Sequence, residues 1–278
     1  MRIAVSVEST SDLPKELLAK FNIHSVPFHI TLGDRTFKDG ELSTEEMFAF
    51  VDKHDTLPKT NAINEFEYTE YFESLKKEYD AVVHVALSSD LSSSCGNAIR
   101  ASQNLENVFV VDSRTLSSGI ALLALHACEL VEKGMEAAAI ADELNKKTAN
   151  VQASFVLKRL DFLYKGGRCN ALSYFGANLL KIRPRIVVKD GKMGSDKKYR
   201  GKMGKVVAKY CQDVFEDNKN PDLSKAFLTY TTASEDMIAE AKLALVERGF
   251  KQIYEAHAGG TIASHCGANT LGILFFNE

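Results

Sequence analysis

The 278-residue chain is short of the features that most quickly assign a sequence to a class. Its five cysteines, Cys95, Cys128, Cys169, Cys211 and Cys266, form no CxxC pair. An odd number without regular spacing argues against a disulfide framework or a zinc site, and reduced thiols in a cytoplasmic setting are expected. No apolar run approaches the ~20 residues that a membrane-spanning helix needs. Met1-Arg2-Ile3-Ala4-Val5 leads into a strand pattern and offers no signal-peptide h-region. Charge of one sign is missing too: 34 basic and 37 acidic residues are interleaved, for a formal net charge of -3. No global field therefore recruits nucleic acid or an anionic membrane. Gly166-Gly167 and Gly259-Gly260 fit neither G-x-G-x-x-G nor G-x-x-x-x-G-K, so nucleotide binding by this chain is not expected.

What is present is an alternation of strand and helix patterns. Arg2 to Val7 reads as a buried strand, followed by a helix that Ser11-Asp12 would cap, with Pro14 in its first turn and Leu13, Leu17, Leu18 and Phe21 on one face. His24 to Leu32 reads as one strand, and Ser43 with Glu46 forms a capping box for a helix carrying Met47, Phe48 and Val51 inward. Leu57-Pro58-Lys59-Thr60-Asn61 reads as a loop. A helix bearing Tyr68, Tyr71, Phe72 and Leu75, strands over 81–87 and 108–111, and a helix from Leu116 to Leu130 follow. This order predicts a mainly parallel sheet covered on both faces. Beyond about residue 150 the pattern changes: a strand over 151–156, the turn Lys165-Gly166-Gly167-Arg168, a hairpin at Asp190-Gly191, helices over 203–215 and 237–246, and strands over 226–230, 252–256 and 271–276. The expectation is an α/β protein of two domains. Residues 1–150 form a three-layer α/β/α domain with a mainly parallel sheet, and residues 151–278 a two-layer α/β domain with a mixed sheet.

Three loops carry the candidate chemistry: Thr60-Asn61-Ala62, Leu87 to Ser94, and His265-Cys266-Gly267-Ala268-Asn269-Thr270-Leu271-Gly272. Each adjoins a strand pattern, and open α/β sheets bind ligands at strand ends. Ser92 stands before a helical run, where free backbone N–H groups and the helix dipole favour an anion, although serine there also serves as a simple cap. Thr60 and Asn61 are equally suited to stabilising a turn. His265 with Cys266 lacks a third ligand for a metal, and Ser92 with His265 lacks both an orienting acid and a G-x-S-x-G elbow for nucleophilic catalysis. Arg168 is suited to pairing with a carboxylate. Lys197, Lys198, Arg200, Lys202 and Lys205 form a basic group that is either solvated surface or a dock for an anionic partner.

Taken in order, these segments resemble the DegV family of fatty-acid-binding proteins over nearly the whole chain. Val7-Glu8-Ser9-Thr10-Ser11-Asp12-Leu13 is similar to the family's DSxxDL segment, with Glu8 where aspartate is usual. Pro58-Lys59-Thr60-Asn61 resembles its PxTSQP loop with Asn61 in place of serine, and Ser88 to Ser94 resembles SSxLSGT. Val111-Asp112-Ser113, Lys165 to Arg168 and the terminal His265-Cys266-Gly267 follow, the HCGPGTxG ending being altered to Ala268 and Asn269.

The resemblance implies one long-chain fatty acid in a tunnel between the domains, bound through Thr60, Asn61, Ser92, Ser93, His265, Cys266 and Gly267, with no catalytic residue, no metal and no cofactor in this chain. It implies further that a separate dihydroxyacetone-kinase-like fatty acid kinase phosphorylates the bound acid to an acyl phosphate; Lys197, Arg200 and Lys202, by their clustering in the sequence, are the candidate docking charges for such a partner. A serine-dependent acyl hydrolase and a small-anion-sensing regulatory module are the competing alternatives.

Overall fold

A computed structural model of the chain describes residues 1–169 and 182–278. In chain order the first half comprises β1 (Ile3–Glu8), α1 (Lys15–Lys20), β2 (Ile23–Val26), β3 (His29–Leu32), β4 (Arg35–Lys38), α2 (Thr44–His54), β5 (Lys59–Asn61), α3 (Glu65–Lys76), β6 (Ala81–Ala86), α4 (Ser94–Ser102), β7 (Val108–Asp112), α5 (Ser118–Glu132) and α6 (Ala137–Lys147). The second comprises β8 (Val151–Val156), α7 (Asp161–Lys165), β9 (Arg183–Lys189), β10 (Lys192–Tyr199), α8 (Met203–Asp217), β11 (Pro221–Tyr230), α9 (Glu235–Arg248), β12 (Gln252–His257), α10 (Gly260–Cys266) and β13 (Leu271–Asn277).

The first sheet, β2-β1-β6-β7, is parallel throughout. Its inner strand β6, Ala81-Val82-Val83-His84-Val85-Ala86, is buried along its whole length, the near-continuous apolar run expected when helices cover both faces. Helices α3 and α4 pack on it, and so do α5 and α6. The second sheet, β10-β9-β8-β13-β11-β12, is mixed, with only the β11–β12 pair parallel. Helices α8 and α9 close one of its faces around Val207, Tyr210, Leu228, Leu245 and Phe275. The other face receives α5, which contacts β8, β11 and β13 as well as β1 and β6. This explains why α5 is apolar all round: every residue from Ser118 to Leu125 is buried. One apolar cluster consequently contains residues of both sheets, from Ala4 and Val83 to Phe155 and Leu274.

Three local expectations need correction. His24 to Leu32 is not one strand, because Pro27 has no N–H to give to a ladder and the chain changes sheets there. Before it β2 pairs with β1; after it β3 joins β4 and β5 in a separate antiparallel sheet. Thr60-Asn61 is accordingly not a loop but part of β5, with Thr60 opposite Ile30. Ser11-Asp12 does not cap α1, whose N-cap is Pro14; Asp12 instead takes a left-handed backbone conformation (φ 52°) and sends its carboxylate toward the second half of the chain. Helix α6 and the β4 strand have no counterpart among the expected elements. The Ser43–Glu46 capping box and the Asp190-Gly191 hairpin are present as expected.

Candidate ligand-binding site

A cavity of about 410 Å³ lies where β5, the segment between β6 and α4, and α10 meet. The structure brings Thr60, Asn61, Ser92, Ser93, His265 and Cys266 to its wall, together with Phe28, Leu87, Leu91, Leu116, Met193 and Ile262. A narrow extension of about 30 Å³ shares Leu116, Ile262 and Cys266 with it and continues between Ala153, Phe155 and Leu274. The space is thus polar where the three hydroxyl and imidazole segments converge and apolar beyond. Gly267 is not on the wall: it ends α10 with φ +74°, and a Cβ there would lie 2.8 Å from Phe162.

The polar end is organised by hydrogen bonds that leave donors free. Thr60 Oγ1 and His265 Nε2 are 2.8 Å apart, joining β5 to the last turn of α10. His265 Nδ1 is buried without a partner, packed so close to Gly166 that a Cβ at that glycine would lie 2.5 Å from it. Burial, reinforced by the Arg168 charge, lowers the His265 pKa to about 4, so the imidazole is neutral near neutral pH. Ser92 precedes α4, which begins at Ser94, and its Oγ accepts the Ser94 N–H at 3.1 Å. That bond uses an oxygen lone pair, and the Ser92 hydroxyl proton remains available. Asn61 is turned to the small sheet, its Nδ2 donating to Thr31 Oγ1 at 3.1 Å. Burial pushes the Cys266 thiol up to about 12, which disfavours it as a thiolate nucleophile.

Arg168 lines the cavity, and among the described residues it meets no carboxylate partner of the kind considered for it. Its Nη1 donates to the Gly166 carbonyl at 2.6 Å and its Nε to the Leu91 carbonyl at 3.4 Å. Among the described residues no group of His, Cys, Asp and Glu could hold a metal ion, and no helix is long and apolar enough to cross a membrane. The basic group differs from expectation. Lys197 lies 3.0 Å from Asp217 and 3.7 Å from Asp213, two carboxylates on α8 that sequence proximity did not reveal. Arg200 and Lys202 are exposed, beyond the end of β10 opposite the turn that reaches the cavity.

Two carboxylates missed by sequence reasoning hold α10 in place. Asp12 Oδ1 accepts the Gly259 N–H at 2.7 Å, and its Oδ2 accepts from Ser117 Oγ. Asp39 Oδ1 accepts from Gly260 N at 2.8 Å and its Oδ2 from Thr261 N at 3.2 Å. Residues of the first half thereby satisfy N–H groups at the start of the helix that carries His265. Burial raises the Asp12 pKa well above the usual carboxylate range, and the neighbouring Asp39 adds to the rise. On the other side of the cavity the β9–β10 turn is clasped by the first half: Ser88 Oγ donates to the Gly191 carbonyl at 2.8 Å, Arg114 donates to the Asp190 carbonyl, and Arg114 and Lys192 flank Asp90. Gly191 has φ +82°, and a Cβ there would lie 2.7 Å from Ser88 Oγ. Only glycine meets both demands.

The chain is similar to known proteins over its whole length. The model of the family described as "Uncharacterised protein, DegV family" matches residues 2–278. A DegV domain-containing protein of Clostridium acetobutylicum is 27% identical over 280 residues, 100% of this chain and 99% of the relative. A protein of Thermotoga maritima named "Fatty acid-binding protein" is 28% identical over 282 residues, 98% of this chain and 96% of its own. Among solved structures, that of a DegV family protein from Thermus thermophilus, described as fatty acid binding, superposes with a TM-score of 0.89 at 27% identity, covering 100% of both chains. With the family model spanning the chain and the two-sheet architecture reproduced, this protein belongs to the DegV family.

Proposed function

We propose that this chain binds one long-chain fatty acid, with the carboxylate between Ser92, Thr60 and His265 and the tail along Leu87, Leu116 and Ile262 toward Phe155. The observation that carries this reading is the Thr60–His265 bond, which brings residues 205 positions apart to one wall of a cavity that also holds Ser92. With the imidazole proton on Nε2, His265 donates to Thr60 Oγ1 and leaves only a lone pair at the unpartnered Nδ1. The Thr60 and Ser92 hydroxyl protons are then both free to meet a carboxylate, which would be costly to bury without donors. Burying about 15 methylenes at ~0.8 kcal/mol each supplies on the order of 12 kcal/mol gross, against several kcal/mol to desolvate the carboxylate. The tail dominates affinity and the hydroxyls fix the head group.

The chain acts in this reading as a carrier that presents the acid to a separate dihydroxyacetone-kinase-like fatty acid kinase. The hydrolase alternative is poorly served: His265 Nε2 faces Thr60, and its Nδ1 meets no orienting carboxylate among the described residues. Native mass spectrometry and fatty acid titration test the reading. Ser92→Ala is expected to weaken binding by about 1–3 kcal/mol, and Thr60→Ala comparably; unchanged occupancy and affinity in both would overturn it. For docking, Lys197 is committed to Asp213 and Asp217, which leaves Arg200 and Lys202. Replacing both with Glu should slow kinase-dependent phosphorylation at low salt while fatty acid affinity is unchanged. Identical kinetics would assign the pair to ordinary solvated surface.

A further inference from the structure

The Ser92 hydroxyl is only as well placed as the segment Leu87–Ser94 that carries it, and that segment is tied at both ends to one buried carboxylate. Glu8, at the end of β1, is fully buried. Its Oε2 accepts the Leu87 N–H at 2.7 Å and the Thr10 hydroxyl at 3.0 Å. Its Oε1 accepts a short hydrogen bond from the Tyr68 hydroxyl, which lies 2.8 Å from Ser94 Oγ. Ser94 in turn gives its backbone N–H to Ser92 Oγ. Tyr68, Ser94 and Thr10 are as buried as Glu8, and Leu87 lines the cavity. The carboxylate therefore fixes the first residue of the segment directly and the last through one tyrosine. No other side chain described here does both.

We propose that Glu8 is a positioning residue for the ligand site, holding Leu87 and Ser94 so that the Ser92 hydroxyl meets the ligand carboxylate; the inference rests on the fatty-acid reading of the cavity. Glu8 does not line the cavity, so it acts on the ligand through the segment alone. Replacing it with Gln keeps the shape but puts an NH2 donor in place of one acceptor oxygen, so the Tyr68 or Thr10 hydroxyl facing it must turn round and accept, which rearranges the tie to the segment. A substitution that merely loosened the fold would lower affinity whether or not residue 92 carried a hydroxyl. One that acts through Ser92 would lose its effect once the hydroxyl is gone, and a double-mutant cycle separates the two.

The experiment measures fatty acid affinity in the full chain for wild type, Glu8→Gln, Ser92→Ala and the double variant. Glu8→Gln alone should weaken binding roughly tenfold, and in the Ser92→Ala background by no more than about twofold. Tyr68→Phe, which removes one hydroxyl and keeps the ring, provides a second cycle should Glu8→Gln fold poorly, and should show the same loss of effect. Fully additive losses in the cycles, or wild-type affinity in both single variants, would overturn the role assigned to Glu8 and leave the fatty-acid reading intact. A wild-type protein that binds no fatty acid would overturn both.

Discussion

Two of the places where the halves of the chain grip each other, one on each side of the cavity, use opposite physics. At the start of α10 the contacts are carboxylates to backbone N–H groups, and Asp12 and Ser117 are buried. At the β9–β10 turn they are exposed ion pairs around Arg114, whose side chain is 38% exposed, together with the Ser88 bond to Gly191. Hydrogen bonds to a buried carboxyl are costly to break, because their donors cannot turn to solvent when the partner is lost. Exposed pairs are worth little and are screened by salt. The α10 junction therefore locks His265 in register with Thr60, whereas the hairpin junction places Met193 over the cavity with a weaker hold.

The contrast is most severely tested by Asp12→Ala, which orphans the Gly259 N–H and the Ser117 hydroxyl. A loss of about 2–4 kcal/mol in urea unfolding is expected; a loss under 1 kcal/mol would show that the junction is not locked as described. Next in size is the response of the α10 side to acid. The folded pKa of His265, about 4, lies below its unfolded value near 6.5, so the unfolded chain takes up the proton first. Its contribution is complete above about pH 6.5 and is lost as pH falls toward 4, on the order of 2–3 kcal/mol. The raised carboxyl of Asp12 works in the other direction, losing stability as pH rises through its folded pKa. Comparing urea midpoints of wild type and His265→Gln across pH 4 to 6.5 isolates the histidine; parallel profiles would refute its part. The smallest effect is reserved for the hairpin. Arg114→Ala should cost less than about 1 kcal/mol at low salt and nothing measurable in 1 M salt, and a large loss that persists in salt would erase the distinction.

Fold class was legible because it depends on periodicity, and β6, α5 and the Asp190-Gly191 turn announce themselves locally. The convergence of Thr60, Ser92 and His265 was legible from the resemblance, since no local pattern brings positions 60 and 265 together. What escaped was long-range pairing of polar groups. Asp12 looked like a cap for its own helix and turned out to cap one that starts beyond residue 258. Lys197 looked free because Asp213 and Asp217 lie on the next helix, 16 and 20 positions on. Glu8 was visible only as a departure from aspartate, and its links to Leu87 and Tyr68 required the sheet order. Pro27 and the helical spacing of Ala137, Ile140, Ala141 and Leu144 in α6 were missed signals that did lie in the local sequence.

The position of β13 between β8 and β11 has a consequence for how the protein is made. Leu271 pairs with Val156, more than a hundred residues upstream, so β8 and β11 cannot be joined until the distant strand arrives. During synthesis the earlier strands of this sheet wait with open edges, the condition under which nascent chains associate wrongly. The parallel sheet, completed by residue 112, forms without that wait. Its apolar helix α5 is then exposed for an interval on the side that the second sheet will cover. Emergence of β13 is thus the event that ends the dependence of this chain on protection from its neighbours.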